Sequence, residues 1–350
     1  MTTARDLIAD PLTNYPAATV ACFDPTIGEL PRRELNAQRT VEFLERLGEA
    51  GTPAVLIAAS TGHGHVRTVP ELESWFVVAS QAKLPNTLKM ALLRPEDGLV
   101  ANERLVALLS VLDYPVVFVR PGTNLPADAS DEAVVDNLRP IIVAASQRGM
   151  AVGVYSIPDV SGLKLTPEAT ARLVNGPGGH AIVAAKITEA DYEASTRKFL
   201  EHPALARLKI VQGWDPFLAQ ALREGPNYDP RARQRCGVTS GPMSFAVFQY
   251  LHILAKAKAG DWDEVAAAQH AVTKLFQAMQ DDPQKFADLQ RAKYLMGLGQ
   301  PLTSEVQHAQ IERLFIALES LPRAEDRRRL SRSLDLMEDG PFHERLRQFL

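Results

Sequence analysis

Residues 151–157 read Ala-Val-Gly-Val-Tyr-Ser-Ile, residues 166–174 read Thr-Pro-Glu-Ala-Thr-Ala-Arg-Leu-Val, and residues 181–187 read Ala-Ile-Val-Ala-Ala-Lys-Ile. The first and third runs are short and almost continuously apolar, the pattern of a strand buried on both faces of a parallel sheet. The middle run opens with a helix-start signal, a Thr166 hydroxyl able to cap and Pro167 at the first helical position. Strand, helix and strand in that order make one β-α-β unit.

The same alternation extends in both directions. Strand-like runs fall at 18–23, 55–60, 87–93, 115–120, 151–157, 181–187, 208–213 and 235–240. Helical segments follow them at 33–50, 70–83, 99–112, 131–148, 167–174, 189–200, 216–223 and 242–259, and Asp215-Pro216 repeats the cap-plus-proline signal. Eight strands, each followed by a helix, is the count of a TIM (β/α)8 barrel. A doubly wound open sheet would carry a Gly-x-Gly-x-x-Gly turn after its first strand, and none is present. Beyond residue 261 the strands stop, and amphipathic stretches at 262–280, 283–295, 304–320 and 324–336 predict helices. The expected organisation is a barrel over residues 1–260 with a helical extension, 261–350, packed on it. Two loops stand out, Gly176-Pro177-Gly178-Gly179 and 225–233, the second long for an αβ connection.

With 350 residues, 46% of them hydrophobic and 23% charged, the chain has the composition of a globular protein with a large core and not of a disordered one. Its 42 acidic against 38 basic residues leave no electrostatic footprint for nucleic acid. The one dense basic run, Arg327-Arg328-Arg329, lies beside Glu325 and Asp326 and reads as a solvated helix face. Two cysteines, Cys22 and Cys236, make no disulfide framework and point to a reducing compartment. No apolar run approaches the roughly 20 residues of a membrane helix, and residues 1–16 lack a signal-peptide core. A cytoplasmic location is expected.

Reacting groups of such barrels lie at the C-terminal ends of the strands. Strand two ends in Ser60-Thr61-Gly62-His63-Gly64-His65, strand five carries Tyr155, strand six carries Lys186, strand seven ends in Gly213-Trp214-Asp215, and strand eight ends in Thr239-Ser240. A lysine within an apolar barrel strand is desolvated, which lowers its pKa and frees the neutral amine to attack a carbonyl. The strand pattern leaves a second reading open, in which Lys186 reaches the rim and pairs with Glu189 or Asp191. Tyr155 is either a proton shuttle in the same cavity or a packed aromatic. Ser60-Thr61-Gly62 offers hydroxyls and successive backbone N–H groups to a carboxylate, though such turns are common. His63 and His65 invite a metal, but strands five to eight supply only Asp159 and Asp215 as further ligands, so they are read as rim or substrate contacts. Trp75, Trp214 and Trp262 read as core or interface aromatics, with Trp214 a pocket-wall candidate.

Together these segments resemble the superfamily of dihydrodipicolinate synthase and N-acetylneuraminate lyase, the pyruvate-dependent class I aldolases. Residues 155–166, Tyr-Ser-Ile-Pro-Asp-Val-Ser-Gly-Leu-Lys-Leu-Thr, are similar to the lyase branch's Tyr-Asn-Ile-Pro-x-x-Ser-Gly-x-Lys-Leu-Thr. Ser60-Thr61-Gly62 resembles the family's carboxylate loop, 182–186 its Schiff-base strand, and Gly237-Val238-Thr239-Ser240 its last strand; the likeness spans about residues 16–275. The resemblance implies that Lys186 forms an imine with a 2-oxo acid, that Ser60, Thr61 and Gly62 hold its carboxylate, and that Tyr155 moves the proton. It also implies that Thr188, Gly213, Asp215 and Ser240 line the substrate site, that no cofactor beyond the lysine imine is required, and that the barrel is a homo-oligomer.

Four departures bear on the substrate. His63 replaces the loop's usual glutamate, and Val160 stands where the synthases keep an arginine, which points away from lysine biosynthesis. Pro216 replaces the glutamate that binds the polyol tail in sialic acid lyases, and Val119-Arg120-Pro121-Gly122 lacks the Thr-Pro-x-Tyr of the strand-four loop. Arg120 is therefore either a contact for an anionic or polyol acceptor or one half of a rim salt bridge. The expected activity is an aldolase or lyase acting on a 2-oxo-3-deoxy sugar acid or related 2-oxo acid. A dehydratase or hydratase using the same imine, a non-catalytic 2-oxo acid-binding barrel and a metal-dependent hydrolase are the competing expectations.

Overall fold

The protein is described by a computed structural model over residues 2–23, 26–27, 34–280, 312–313, 315–336, 344, 347 and 348. The eight expected strands are all present: β1 (Ala18–Ala21), β2 (Ala54–Ile57), β3 (Leu88–Leu93), β4 (Val116–Val119), β5 (Ala151–Ser156), β6 (Ile182–Ile187), β7 (Lys209–Gln212) and β8 (Cys236–Ser240). They pair in parallel in sequence order, and β1 closes the sheet by pairing with both β2 (Val20 beside Val55) and β8 (Val20 beside Ser240). This is a TIM barrel. A two-stranded antiparallel ribbon, Thr26–Ile27 with Glu34–Leu35, follows β1 outside the barrel.

Between the strands lie α1 (Ala37–Glu49), α2 (Val69–Ser80), α3 (Leu99–Val111), α4 (Asp131–Gln147), α5 (Pro167–Val174), α6 (Thr196–Glu201), α7 (Leu218–Glu224) and, after β8, α8 (Met243–Lys258). Their starts follow the sequence. Thr166 accepts from the Ala169 N–H at 3.0 Å, Asn36 from Arg39, and Thr68 forms a capping box with Glu71 ahead of α2. The segment expected as a helix over 189–200 is helical only from Thr196, because its first half is tied elsewhere. Asp191 accepts from the Ala194 N–H at 2.9 Å, and Glu189 is bound by Ser156 and Lys164, which holds this stretch as an irregular connection.

One core fills the space between strands and helices, with Trp75, Phe76, Phe199 and Tyr250 among its largest side chains. A second fills the barrel itself, where Leu56, Met90, Leu92, Phe118, Tyr155, Val183 and Val211 meet. Two short N-terminal helices, Ala4–Ala9 and Pro11–Asn14, close the lower mouth by inserting Leu7 and Tyr15 into this interior cluster. Burying apolar surface at about 25 cal/mol per Å2 makes both cores the main source of stability.

The helical extension begins with α9 (Trp262–Gln280) and includes α10 (Ala324–Asp335). Both pack on α8. The Gln249 amide donates to Ala268 O and to Asp326 Oδ1, each at 2.9 Å, while the Arg329 Nε–H donates to its carbonyl at 2.7 Å. The expectation of a wholly solvated basic run is thereby corrected: Arg328 faces solvent, but Arg329 turns inward to Gln249 and Asp326. The expected helix over 283–295, and most of that over 304–320, lie outside the described residues. No described helix is long and apolar enough to cross a membrane. Cys22 and Cys236 are both free and buried.

Candidate active site

The C-terminal mouth of the barrel brings together residues from strands two and four to eight. Tyr155 and Lys186 are neighbours across the β5–β6 ladder, so their side chains leave the sheet on the same face. The Lys186 Nζ lies 4.1 Å from the centroid of the Tyr155 ring. The expectation that Lys186 might pair with Glu189 or Asp191 is not met. Glu189 is taken by the Ser156 hydroxyl at 2.7 Å and by Lys164 at 2.9 Å, and Asp191 turns to its own loop. No described residue forms a hydrogen bond or ion pair with the Lys186 amine. Burial pulls its pKa down to about 7, and the Asp215 carboxylate opposes that fall.

Burial alone does not single Lys186 out. Lys209 on β7 is equally sequestered, and burial lowers its pKa to about 8. It sits at the opposite end of the barrel, however, where its ammonium donates to Gln234 O at 2.7 Å and Leu12 O at 3.4 Å. Lys209 is a cross-link for the N-terminal plug, while Lys186 is a buried amine without an acceptor.

Tyr155 is 2% exposed, and burial raises its phenol above the ordinary value. Its oxygen accepts a hydrogen bond from the Thr188 hydroxyl at 3.1 Å. Gly213 lies against this pair; a Cβ there would stand 2.0 Å from Thr188 Oγ1 and 3.0 Å from Lys186 Cε, so only glycine leaves both side chains in place.

Asp215 was expected to cap the helix that follows it. Its side chain makes no cap bond and instead accepts from the Tyr250 hydroxyl of α8, which in turn accepts from Ser240 Oγ at 3.1 Å. Burial raises the Asp215 carboxyl to about 6, against the opposing hydrogen bonds and the Lys186 charge. The helix start that Asp215 leaves is served from the extension. Gln269 of α9 accepts from the Ala219 N–H and donates to the Asp215 carbonyl, both at 3.0 Å. Phe276 of the same helix meets the Trp214 ring at 4.9 Å, edge to face, so the strand-seven loop is walled by α9.

After β2 the chain makes a 3-10 turn, Ser60–Gly62, held between two non-glycine residues in left-handed conformation, Ala58 (φ 64) and His63 (φ 57). Such conformations cost on the order of 1–2 kcal/mol each and persist where surrounding structure imposes them. The N–H groups of Gly62, His63 and Gly64 return to Ala59 O and Ser60 O, so the donors left facing outward are those of Ser60 and Thr61. The Ser60 hydroxyl is buried without a hydrogen-bond partner among the described residues. Gly62 is pressed between Trp75 and Cys22 O, and Gly241 against Thr61, which fixes this turn to strands one and eight.

Arg120 is fully buried, not a rim residue. Its fork meets the Glu96 carboxylate and donates to Pro121 O at 2.8 Å. His63 and His65 meet edge to face with ring centroids 6.0 Å apart, and the described residues contain no group of three or more His, Cys, Asp or Glu able to hold a metal. Tyr250, Gln269, Glu96 and the strained Ala58 were not anticipated. Only Tyr250 carried a usable signal, an aromatic hydroxyl on the apolar face of the helix following strand eight.

Comparison with known proteins agrees with this architecture. The model of the dihydrodipicolinate synthetase family matches residues 129–305. The N-acetylneuraminate lyase of Citrobacter koseri is 29% identical over 240 residues, 67% of this chain and 72% of that protein. A prophage protein of the dihydrodipicolinic acid synthase family from Escherichia coli K12, solved in complex with pyruvate, superposes with a TM-score of 0.73 at 15% identity, covering 88% of this chain and 98% of its own. A variant of the 2-keto-3-deoxygluconate aldolase of Sulfolobus solfataricus superposes with a TM-score of 0.69 at 14% identity, covering 93% and 100%.

Proposed function

The chain belongs to the dihydrodipicolinate synthetase family of enzymes, and on that premise we propose that it is a class I aldolase or lyase that joins pyruvate to an aldehyde, or cleaves the product, through an imine on Lys186. A 2-oxo-3-deoxy sugar acid or a related 2-oxo acid is the substrate class. The observation that carries this reading is the state of Lys186, a buried amine with no hydrogen-bond acceptor among the described residues, set 4.1 Å above the Tyr155 ring. Such an amine is about half neutral near pH 7, and the neutral form is the one that attacks a ketone.

In this reading the Lys186 amine adds to the keto carbon and expels water, and the protonated imine becomes the electron sink. The substrate carboxylate is held by the Ser60 hydroxyl and by the Ser60 and Thr61 N–H groups, buried donors without partners among the described residues. Tyr155, oriented by Thr188, accepts the proton of the hydroxyl on the carbon being released as the C–C bond breaks, then delivers it to the enamine carbon. Asp215 and Ser240, linked through Tyr250, line the site, and Gly213 packs against Thr188 and Lys186. His63 lies beside the carboxylate turn. The imine supplies the electrophile, so the reaction calls for no metal.

The test is reduction with borohydride in the presence of pyruvate, followed by peptide mass spectrometry. A reduced pyruvyl adduct on Lys186 that is absent from Lys186→Ala is expected. An adduct on Lys209, or none with pyruvate or any longer 2-oxo acid, would refute the assignment.

A further inference from the structure

The strand-four loop places at the site a charge to which the scheme above gives no role. The β4–β5 ladder pairs Phe118 with Gly153 and Val119 with Val154, so the next residues along the two strands are Arg120 and Tyr155. Tyr155 in turn stands beside Lys186 on β6. Phe118 belongs to the barrel interior, and Arg120, two residues on, leaves the strand on that same face. Three adjacent strands thus present Arg120, Tyr155 and Lys186 at one level of the barrel.

The guanidinium is held firmly. Its two terminal nitrogens face Glu96 and Pro121 O, leaving the Nε–H buried without an acceptor among the described residues. Glu96 sits in the 3-10 turn Pro95–Asp97, which Arg94 anchors by binding Asp97 at 2.6 Å together with Gly64 O and Arg67 O, each at 2.7 Å. Those last two carbonyls belong to the loop that follows the carboxylate turn. Arg120 is therefore fixed by a chain of buried contacts and does not swing toward a substrate.

We propose that Arg120 is a positioning residue for the proton on Tyr155: held by Glu96, it stabilises the phenolate that this chemistry requires. The inference rests on the imine mechanism proposed above. When the C–C bond breaks, the phenolate takes the hydroxyl proton of the released carbon, and the bonding electrons pass into the protonated imine to give an enamine. The same proton then goes to the enamine carbon, which restores both the phenolate and the imine. Burial works most strongly against the Tyr155 anion, and the Asp215 and Asp159 charges add to it, while the Thr188 hydrogen bond and the Arg120 charge favour the anion. Removal of Arg120 leaves burial and the two carboxylates opposed by the Thr188 hydrogen bond alone.

Two measurements separate this role from its alternatives. In Arg120→Gln, borohydride trapping of pyruvate on Lys186 persists within about twofold, while exchange of the pyruvate methyl hydrogens with solvent deuterium falls about tenfold or more, and Arg120→Lys recovers at least about half of the exchange. Parallel loss of trapping and exchange, or exchange at the wild-type rate, overturns the proposal. The second measurement needs no turnover: 3,5-difluorotyrosine is placed at position 155 and its ionisation followed by absorbance. Its midpoint rises by about one pH unit or more in Arg120→Gln and less in Arg120→Lys. An unmoved midpoint overturns the proposal even if the wild type fails to trap any 2-oxo acid, an outcome that would otherwise count only against the imine reading.

Discussion

Lys186→Met should make the protein more stable while abolishing any imine. The unfolded lysine titrates at its ordinary 10.5, and the native one at about 7. Between those values the unfolded chain binds a proton that the native chain does not, so wild-type stability rises with pH across that window and is lowest below it. At about 1.4 kcal/mol per pH unit, burying Lys186 costs about 4–5 kcal/mol at pH 7 and below. A methionine of similar length fills the same volume without a charge to desolvate. Asp215, deprived of its counter-charge, rises further above 6 and takes back roughly 1 kcal/mol, leaving a net gain of about 3 kcal/mol. The assay is urea denaturation of both proteins at intervals from pH 6 to 10. The difference should be greatest at pH 6–7 and shrink steadily toward pH 10. A variant no more stable than wild type at pH 7, or a difference independent of pH, would show that Lys186 is held charged and paired, and the nucleophile argument would fall with it.

Three further outcomes follow from the site's geometry. Asp215→Asn removes the carboxylate that holds the Lys186 pKa up, so the acid limb of adduct formation, near pH 7 in the wild type, should move to lower pH by up to about one unit; an upward move contradicts the coupling. Gly213→Ala drives a methyl into Thr188 Oγ1 and Lys186 Cε, and trapping should drop at least about tenfold while circular dichroism stays that of the folded barrel. Gln269→Leu strips the Ala219 N–H and the Asp215 carbonyl of their partners at once, and denaturation should register a loss of about 1–3 kcal/mol, with a weaker adduct yield because the strand-seven loop is released.

The barrel was legible because its signals are local. Each apolar run is a strand within three residues at either end, and each Pro or capping residue that begins a helix obeys short-range sterics, as Thr166 shows. Lys186 and Tyr155 were legible for the same reason: a polar residue inside an apolar strand announces itself. What could not be read were side-chain choices made across the fold. Asp215-Pro216 has the form of a helix cap, yet Tyr250, 35 positions later, offers the carboxylate a buried hydroxyl, and Gln269 takes over the vacated donor. Arg120 next to Pro121 gave no hint that Glu96, 24 positions earlier, would draw it fully inside. The strain at Ala58 was equally silent, since alanine carries no signature of a left-handed backbone and the close approach of Gly64 imposes it. The stretch 189–200 erred the other way, a helical pattern broken because Glu189 and Asp191 bind elsewhere.

The dependence of the strand-seven loop on α9 sets an order in time. A chain leaving the ribosome has all eight strands once Ser240 has emerged, but Gln269 and Phe276 follow about 30 to 36 residues later. At roughly 5–20 residues per second, several seconds can separate a closable barrel from one whose Asp215 loop is braced. A nascent barrel would in that interval hold Lys186 without the finished wall around it, so the site is completed by the extension and not by the sheet alone.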